Sequence, residues 1–232
     1  MITERPQFIN EEFEADEVTP EQLDKLLADG WRHFGTHFFR YNLNIYREQV
    51  VRVLPLRIRL SDFQTSKSQR RILRRNTDLH VDSAPIKISD EIESLFHRHK
   101  RRFDHGVPAS IYDFLSPDPA SYPTAGFQIT ARDDNGGLLA VSFFDIAAES
   151  VSAIYGCFEP DETSRSLGIF TMLKVIELAS QNEKVFYYHG YAYEGESFYD
   201  YKKRFSGLEQ FDWKGNWGNY SHREHREHRA AE

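Results

Sequence analysis

The chain has 232 residues, 40% of them apolar and 28% charged, the balance of a globular protein able to bury a core of its own. Its single cysteine, Cys157, excludes an internal disulfide and any cysteine-rich metal centre, and no apolar run approaches the roughly 20 residues that span a bilayer. The net charge of −7 arises entirely in residues 1–30, where nine acids stand against two bases, so the acidic total conceals basic clusters elsewhere in a balanced remainder.

The opening MITERPQFINEEFEADE lacks the basic and apolar segments of a signal peptide, and a cytoplasmic protein without membrane partners is the expectation. Residues 1–30 read as an acidic leader ending in a helix. Thr19 caps it, Pro20 suits its first position, Gln22 completes a capping box, and Leu23, Leu26 and Leu27 line one face before Gly30 stops it. Residues 31–105 read as a basic N-terminal subdomain. In it QVVRVLPLRIRL (49–60) reads as extended chain with apolar and basic residues alternating in part, SDFQTSKSQRRILRRN (61–76) follows, and a second helix falls near 88–103.

Residues 106–220 read as the main domain. Phe127, Ile129 and Ala131 alternate, DDNGG (133–137) turns, and LLAVSFFD (138–145) and VSAIYGCF (151–158) make two further strands. A helix runs from about Leu167 to Ser180, KVFYYHGYAY (184–193) is a strand, and SFYDYKKRF (197–205) is a final short helix. This order suits an α+β protein with a mixed sheet flanked by helices. It is similar to the GNAT-type acyltransferase core, where the strand before the long helix splays from the one after it. The tail SHREHREHRAAE (221–232) has no core-forming residue and is expected to be disordered; its three histidines are either solvated or loose metal ligands.

Three stretches carry chemistry. Lys67, Arg70, Arg71, Arg74 and Arg75 fall at i, i+3, i+4, i+7 and i+8, one helical face with no acid between Asp62 and Asp78. It is either a solvated face or a site for phosphate or carboxylate. HRHKRR (97–102) is a second cluster that fits a solvated helix end equally well. Arg165-Ser166-Leu167-Gly168-Ile169-Phe170 resembles the Arg/Gln-x-x-Gly-x-Gly/Ala loop with which GNAT enzymes hold a pyrophosphate at a helix N-terminus, but Phe170 is bulky where the coenzyme needs a small residue. The block from Tyr187 to Phe205 holds six tyrosines and His189, which either pack across strands or line a pocket. Asp145 ends the most apolar strand and is either a turn residue or a group aimed into the cleft.

SKSQRRILRRN (66–76), RSLGIFTML (165–173) and YYHGYAYEGESFYDYKKRFSGLEQFDWKGNW (187–217), in this order, resemble the arginyl-tRNA–protein transferases and their bacterial leucyl-transferring relatives. The resemblance implies a GNAT-like fold. It also implies a reaction in which the N-terminal amine of an acceptor protein, one beginning with Asp or Glu, attacks the ester of an aminoacyl-tRNA. The partners are then aminoacyl-tRNA and the acceptor's N-terminus, with no cofactor. Lys67, Gln69, Arg70, Arg71, Arg74, Arg75, Arg165, Ser166 and Gly168 become candidates for substrate binding. Asp145 is a candidate to take the amine proton, and Tyr191 and Lys202 to orient the ester. The family usually carries cysteines before Pro-Leu/Val-Arg. Here Pro55, Leu56 and Arg57 are present while Arg47, Val50 and Val53 occupy the preceding stretch, so no metal or iron–sulfur centre is expected. A coenzyme A-dependent acyltransferase and a non-catalytic tRNA- or degron-binding relative are the alternatives.

Overall fold

A computed structural model of the chain describes residues 8–104 and 106–220; the tail at 221–232, expected to be disordered, lies outside the described residues. The elements run β1 (Asn10–Glu14), α1 (Pro20–Ala28), β2 (Arg32–Phe34), β3 (His37–Tyr41), β4 (Leu43–Tyr46), β5 (Gln49–Arg59), α2 (Lys67–Arg75), β6 (His80–Pro85), α3 (Asp90–His99), β7 (Gly126–Arg132), β8 (Leu138–Ile146), β9 (Ser150–Phe158), α4 (Leu167–Gln181), β10 (Phe186–Tyr193), β11 (Leu208–Phe211) and β12 (Trp217–Asn219).

Local chemistry sets the helix starts. The Thr19 hydroxyl accepts the Gln22 N–H at 3.3 Å while the Gln22 side chain accepts the Thr19 N–H at 2.9 Å. Ser66 and Gln69 repeat this reciprocal cap at the start of α2. The segment 197–205, expected as a helix, is a 3-10 turn over Phe198–Arg204, in which every third side chain eclipses. The acidic leader also contains β1. Its five side chains are all exposed, which removes the alternation that marks a strand in the sequence.

The nine-stranded sheet is ordered β12-β11-β5-β10-β9-β8-β7-β6, with β4 hairpinned onto β5. One parallel pair, β9 with β10, makes the sheet mixed, and the whole is α+β, a mixed sheet flanked by helices. β5, from the segment read as an N-terminal subdomain, lies between β10 and β11, so the main sheet crosses the boundary placed at residue 105. α4 buries Met172, Leu173, Val175 and Ile176 against Ile58, Phe144 and Tyr187, and α2 lies against it through Leu73. On the other face α3 packs Ile92, Leu95 and Phe96 on Val141 and Phe143. Beside it α1 and a three-stranded sheet, β1-β3-β2, pack Leu23, Leu27 and Phe38 near Tyr188. Asp24 of α1 accepts from Ser150 Oγ and from the Glu149 N–H at 2.7 Å, tying this layer to the start of β9.

Candidate active site between two splayed strands

β9 and β10 pair only over Ser150–Ser152 and Phe186–Tyr188. At the level where pairing stops, each strand shifts register against its other neighbour: β10 between Tyr188 and Gly190, and β9 opposite Phe143 and Phe144. Two bulges at one level increase the local twist and part the strands. Gly190 stands in the opening with φ +92, a left-handed conformation that favours glycine, and its bare Cα leaves space there.

Two cations occupy that space from opposite faces. Arg32, two residues after the end of α1's turn at Gly30, reaches in from β2. Its Nη1 donates to Ser152 Oγ at 3.0 Å and its Nη2 to the Ala153 carbonyl. Lys202 arrives from the 3-10 turn on the α4 side, and its Nζ donates to the Tyr191 carbonyl oxygen at 3.0 Å. A Cβ on Gly190 would stand 3.0 Å from Lys202 Nζ and 3.9 Å from Arg32 Nη2, which shows how both cations depend on the absent side chain. Burial, and then the charge of Arg32, lower the Lys202 pKa to about 7. His189, whose Nε2 lies 3.1 Å from the Lys202 carbonyl oxygen, is pushed down to about 3 by burial first and by Lys202 next, so it is neutral. The fully buried Tyr187 hydroxyl has no hydrogen-bond partner among the described residues, and burial pushes its pKa up.

The geometry corrects several sequence expectations. Asp145 is fully buried. Its Oδ2 lies 2.8 Å from His33 Nε2 and its Oδ1 accepts from Thr124 Oγ1 at 2.5 Å, so its lone pairs hold the protein together and are not presented to an amine. The Tyr191 hydroxyl donates to the Gly30 carbonyl at 2.6 Å and its ring meets Tyr41 and Trp213 edge-on, so it is the backbone oxygen of Tyr191 that serves the cleft. Gln69 is buried in the α2 cap and does not face solvent. Arg165 makes a two-bonded pair with Asp78 at 2.8 and 2.9 Å and a further contact with Glu162 at 3.0 Å, which neutralise it. A Cβ on Gly168 would meet Phe158 at 3.0 Å, so this glycine permits close packing. Phe170 is a core side chain among Leu79, Ala131 and Ala140. Ser166, in the left-handed region at φ 55, opens α4 without a side-chain cap bond.

The α2 stripe keeps its character. Lys67, Arg70, Arg71, Arg74 and Arg75 are all exposed, and among the described residues none is paired with a carboxylate. Arg75 donates to the Ser164 carbonyl, and the Asn76 side chain to the Arg165 carbonyl at 2.9 Å, so α2 is stapled to the loop that opens α4. A groove of about 690 Å³ runs between α2 and α4, lined by Leu73, Arg74, Phe170 and Lys174. Ala153 and Phe158 bound the part of β9 that β10 leaves, about 17 Å of extended chain leading from the cations toward this loop. Arg32, His33 and Gly190 do not stand out in the sequence. Only Gly190 carries a local signal, a glycine inside an aromatic strand, which marks a bulge or a close approach. Among the described residues no group of three or more His, Cys, Asp or Glu side chains is placed to hold a metal ion, and no helix is long and apolar enough to cross a membrane.

Two family models match the chain: arginine-tRNA-protein transferase, N terminus, over residues 3–71, and arginine-tRNA-protein transferase, C terminus, over residues 91–212. The chain is similar to the aspartate/glutamate leucyltransferase of Xanthomonas euvesicatoria pv. vesicatoria, 33% identical over 177 residues that cover 70% of this chain and 68% of that protein. It is also similar to the aspartate/glutamate leucyltransferase of Xylella fastidiosa strain M23, 31% identical over 194 residues covering 80% and 74%. Among solved structures, FemX aligns with a TM-score of 0.49 at 10% identity over 76% of this chain and 61% of that one. L-PGS from Bacillus licheniformis aligns with a TM-score of 0.43 at 11% identity over 64% of this chain and half of that one. With the ordered motifs, the two matched models and relatives above 30% identity in agreement, the chain belongs to the arginine-tRNA-protein transferase family, enzymes that transfer an amino acid from tRNA to protein.

Proposed function

We propose that this protein moves leucine, the residue in its curated relatives' names, from a charged tRNA to the N-terminal amine of an acceptor protein beginning with Asp or Glu. The transfer takes place in the cytoplasm and marks the acceptor for degradation. The observation that carries this reading is the parting of β9 and β10 around Arg32 and Lys202, neither of which contacts a carboxylate among the described residues. Attack of an amine on an ester builds negative charge on the carbonyl oxygen, and fixed positive groups in a partly water-excluded cleft stabilise it. No covalent enzyme intermediate is needed, since holding two reactants together supplies much of the rate. The exposed stripe on α2 suits tRNA phosphates. The unpaired stretch of β9, about 17 Å from Ala153 to Phe158, suits an unpaired nucleic-acid end of a few nucleotides reaching inward with the ester at its tip.

The test is to incubate the protein with individually charged tRNAs and peptides carrying each N-terminal residue, and to read the products by mass spectrometry. Peptides beginning with Asp or Glu should gain one leucyl residue, from leucyl-tRNA alone. A gain of arginine would keep the reaction and replace the donor. No gain from any charged tRNA would overturn the reading.

A further inference from the structure

Amine attack on an ester requires that the acceptor's ammonium first lose a proton, and the cleft holds one group built to receive it. Lys202 Nζ is fixed by the Tyr191 carbonyl at 3.0 Å and lies against the bare Gly190. The groups that face it are Arg32 from β2, His189 and the Tyr191 carbonyl from β10, and, from its own turn, the Tyr199 ring with its centroid 5.1 Å away. None is a carboxylate. The nearest acid beyond Arg32 is Asp145, and it is engaged by His33 and Thr124. His189 is neutral and stays so well below neutral pH.

Arg32 is equally fixed. Its bonds fall on Ser152, the last residue of β9 that pairs with β10, and on Ala153, the first that does not. The guanidinium thus takes the place on β9 that β10 vacates, and it cannot swing away from Lys202 without leaving a strand carbonyl unsatisfied.

Resting on the transferase reading, we infer that Lys202 is the base that takes the proton of the acceptor's α-ammonium, and that Arg32 is the positioning residue whose fixed charge keeps Lys202 free to accept it. The ammonium proton passes to Nζ. The freed lone pair forms the new C–N bond at the ester carbonyl. As the C–O bond to the tRNA's terminal ribose breaks, the second proton of the attacking nitrogen goes to the ribose oxygen, which leaves as a hydroxyl. Lys202 then returns its proton to water. An N-terminal ammonium has a pKa of about 7.7–8.0. The amine of Lys202, held near 7, is matched to it at neutral pH, where a base is most effective.

The test uses the full chain with lysine labelled at the ε-carbon. Lys202 is assigned through Lys202→Met and titrated by NMR, with kcat/KM for transfer followed over the same pH range. The wild-type midpoint should lie near 7, and the transfer profile should share it. Arg32→Met should raise the proton affinity of Lys202 about tenfold or more and carry the transfer profile with it. Arg32→Lys, which keeps a cation, should stay within about threefold of wild type, and it guards against Arg32→Met failing to fold. A wild-type midpoint at the ordinary value of about 10.4 overturns the inference while transfer itself proceeds. So does an Arg32→Met midpoint that does not move, or a transfer profile that ignores the Lys202 midpoint. If no charged tRNA supports transfer, the reading of the reaction falls first, and the base role falls with it.

Discussion

At His33 both ring nitrogens face acceptors: Nδ1 lies 2.9 Å from the Gly35 carbonyl oxygen and Nε2 2.8 Å from Asp145 Oδ2. The contact with Asp145 is a buried hydrogen-bonded pair, closed on its far side by the Thr124 hydroxyl. Removing Asp145 leaves the His33 ring nitrogen and the Thr124 hydroxyl without their partner in the interior. Asp145→Ala should therefore lower the unfolding free energy by about 1–3 kcal/mol for each of these two groups in urea titration, whatever its effect on transfer. A variant that loses transfer at wild-type stability would return Asp145 to the chemistry. His33 is one residue from Arg32, so the pair also fixes the strand that delivers the guanidinium to the cleft.

Among the elements, α2 separates two roles that its sequence mixes. Gln69, Ile72 and Leu73 turn inward, the first to the cap and the others to the core against α4. The five bases turn out, and Lys67 stands in a first turn that holds no acid, where the helix dipole disfavours a cation. A bound phosphate would relieve both the dipole and the mutual repulsion. Replacing Arg70 and Arg71 with Glu should weaken tRNA binding and flatten the fall of log affinity with log salt by roughly 0.7–0.9 for each phosphate that the stripe no longer neutralises. Unfolding free energy should stay within about 0.5 kcal/mol, because both side chains are exposed. Filter binding across a salt series reads the first effect and urea titration the second; an unchanged salt slope would remove the stripe from the tRNA site.

For the whole molecule, the buried histidines set the response to acid. His99 packs between Phe103 and Phe158, with its Nδ1 3.1 Å from the Phe158 N–H, and burial lowers its pKa to about 4; that of His189 falls to about 3. In the unfolded chain both titrate near 6.5. Between these limits the unfolded state binds protons that the folded state refuses, so stability falls as pH drops below about 6.5 and keeps falling to pH 3–4. The two together are worth several kcal/mol at pH 4.5, to order of magnitude. Urea titrations at pH 7 and 4.5 should show this loss, and His99→Gln should reduce it. Equal stability at both values would mean that these rings take up protons while folded.

The amino-acid sequence by itself determined the features that depend on neighbours a few residues away. The caps at Thr19 and Ser66, the alternation of 127–131, the apolar run of 138–145, the apolar face of 167–181 and the charged face of 67–75 are set by local hydrogen bonds and by the periods of strand and helix. The order of three motifs was enough to indicate the family. Only the tertiary structure decided which groups share the cleft. Arg32 meets Ser152 across 120 positions, His33 meets Asp145 across 112, and Arg57 meets Glu209 across 152. Such meetings follow from β5 entering the sheet between β10 and β11, and from two bulges falling at one level. Strand partners are chosen by global burial, which leaves no periodicity in the local sequence. For that reason Asp145, Tyr191, Gln69 and Arg165 look equally available to a substrate in the linear chain. In the folded chain each is held by a partner from a distant segment or by the cap of its own helix, and the parting of β9 and β10 is left to Arg32, Gly190 and Lys202.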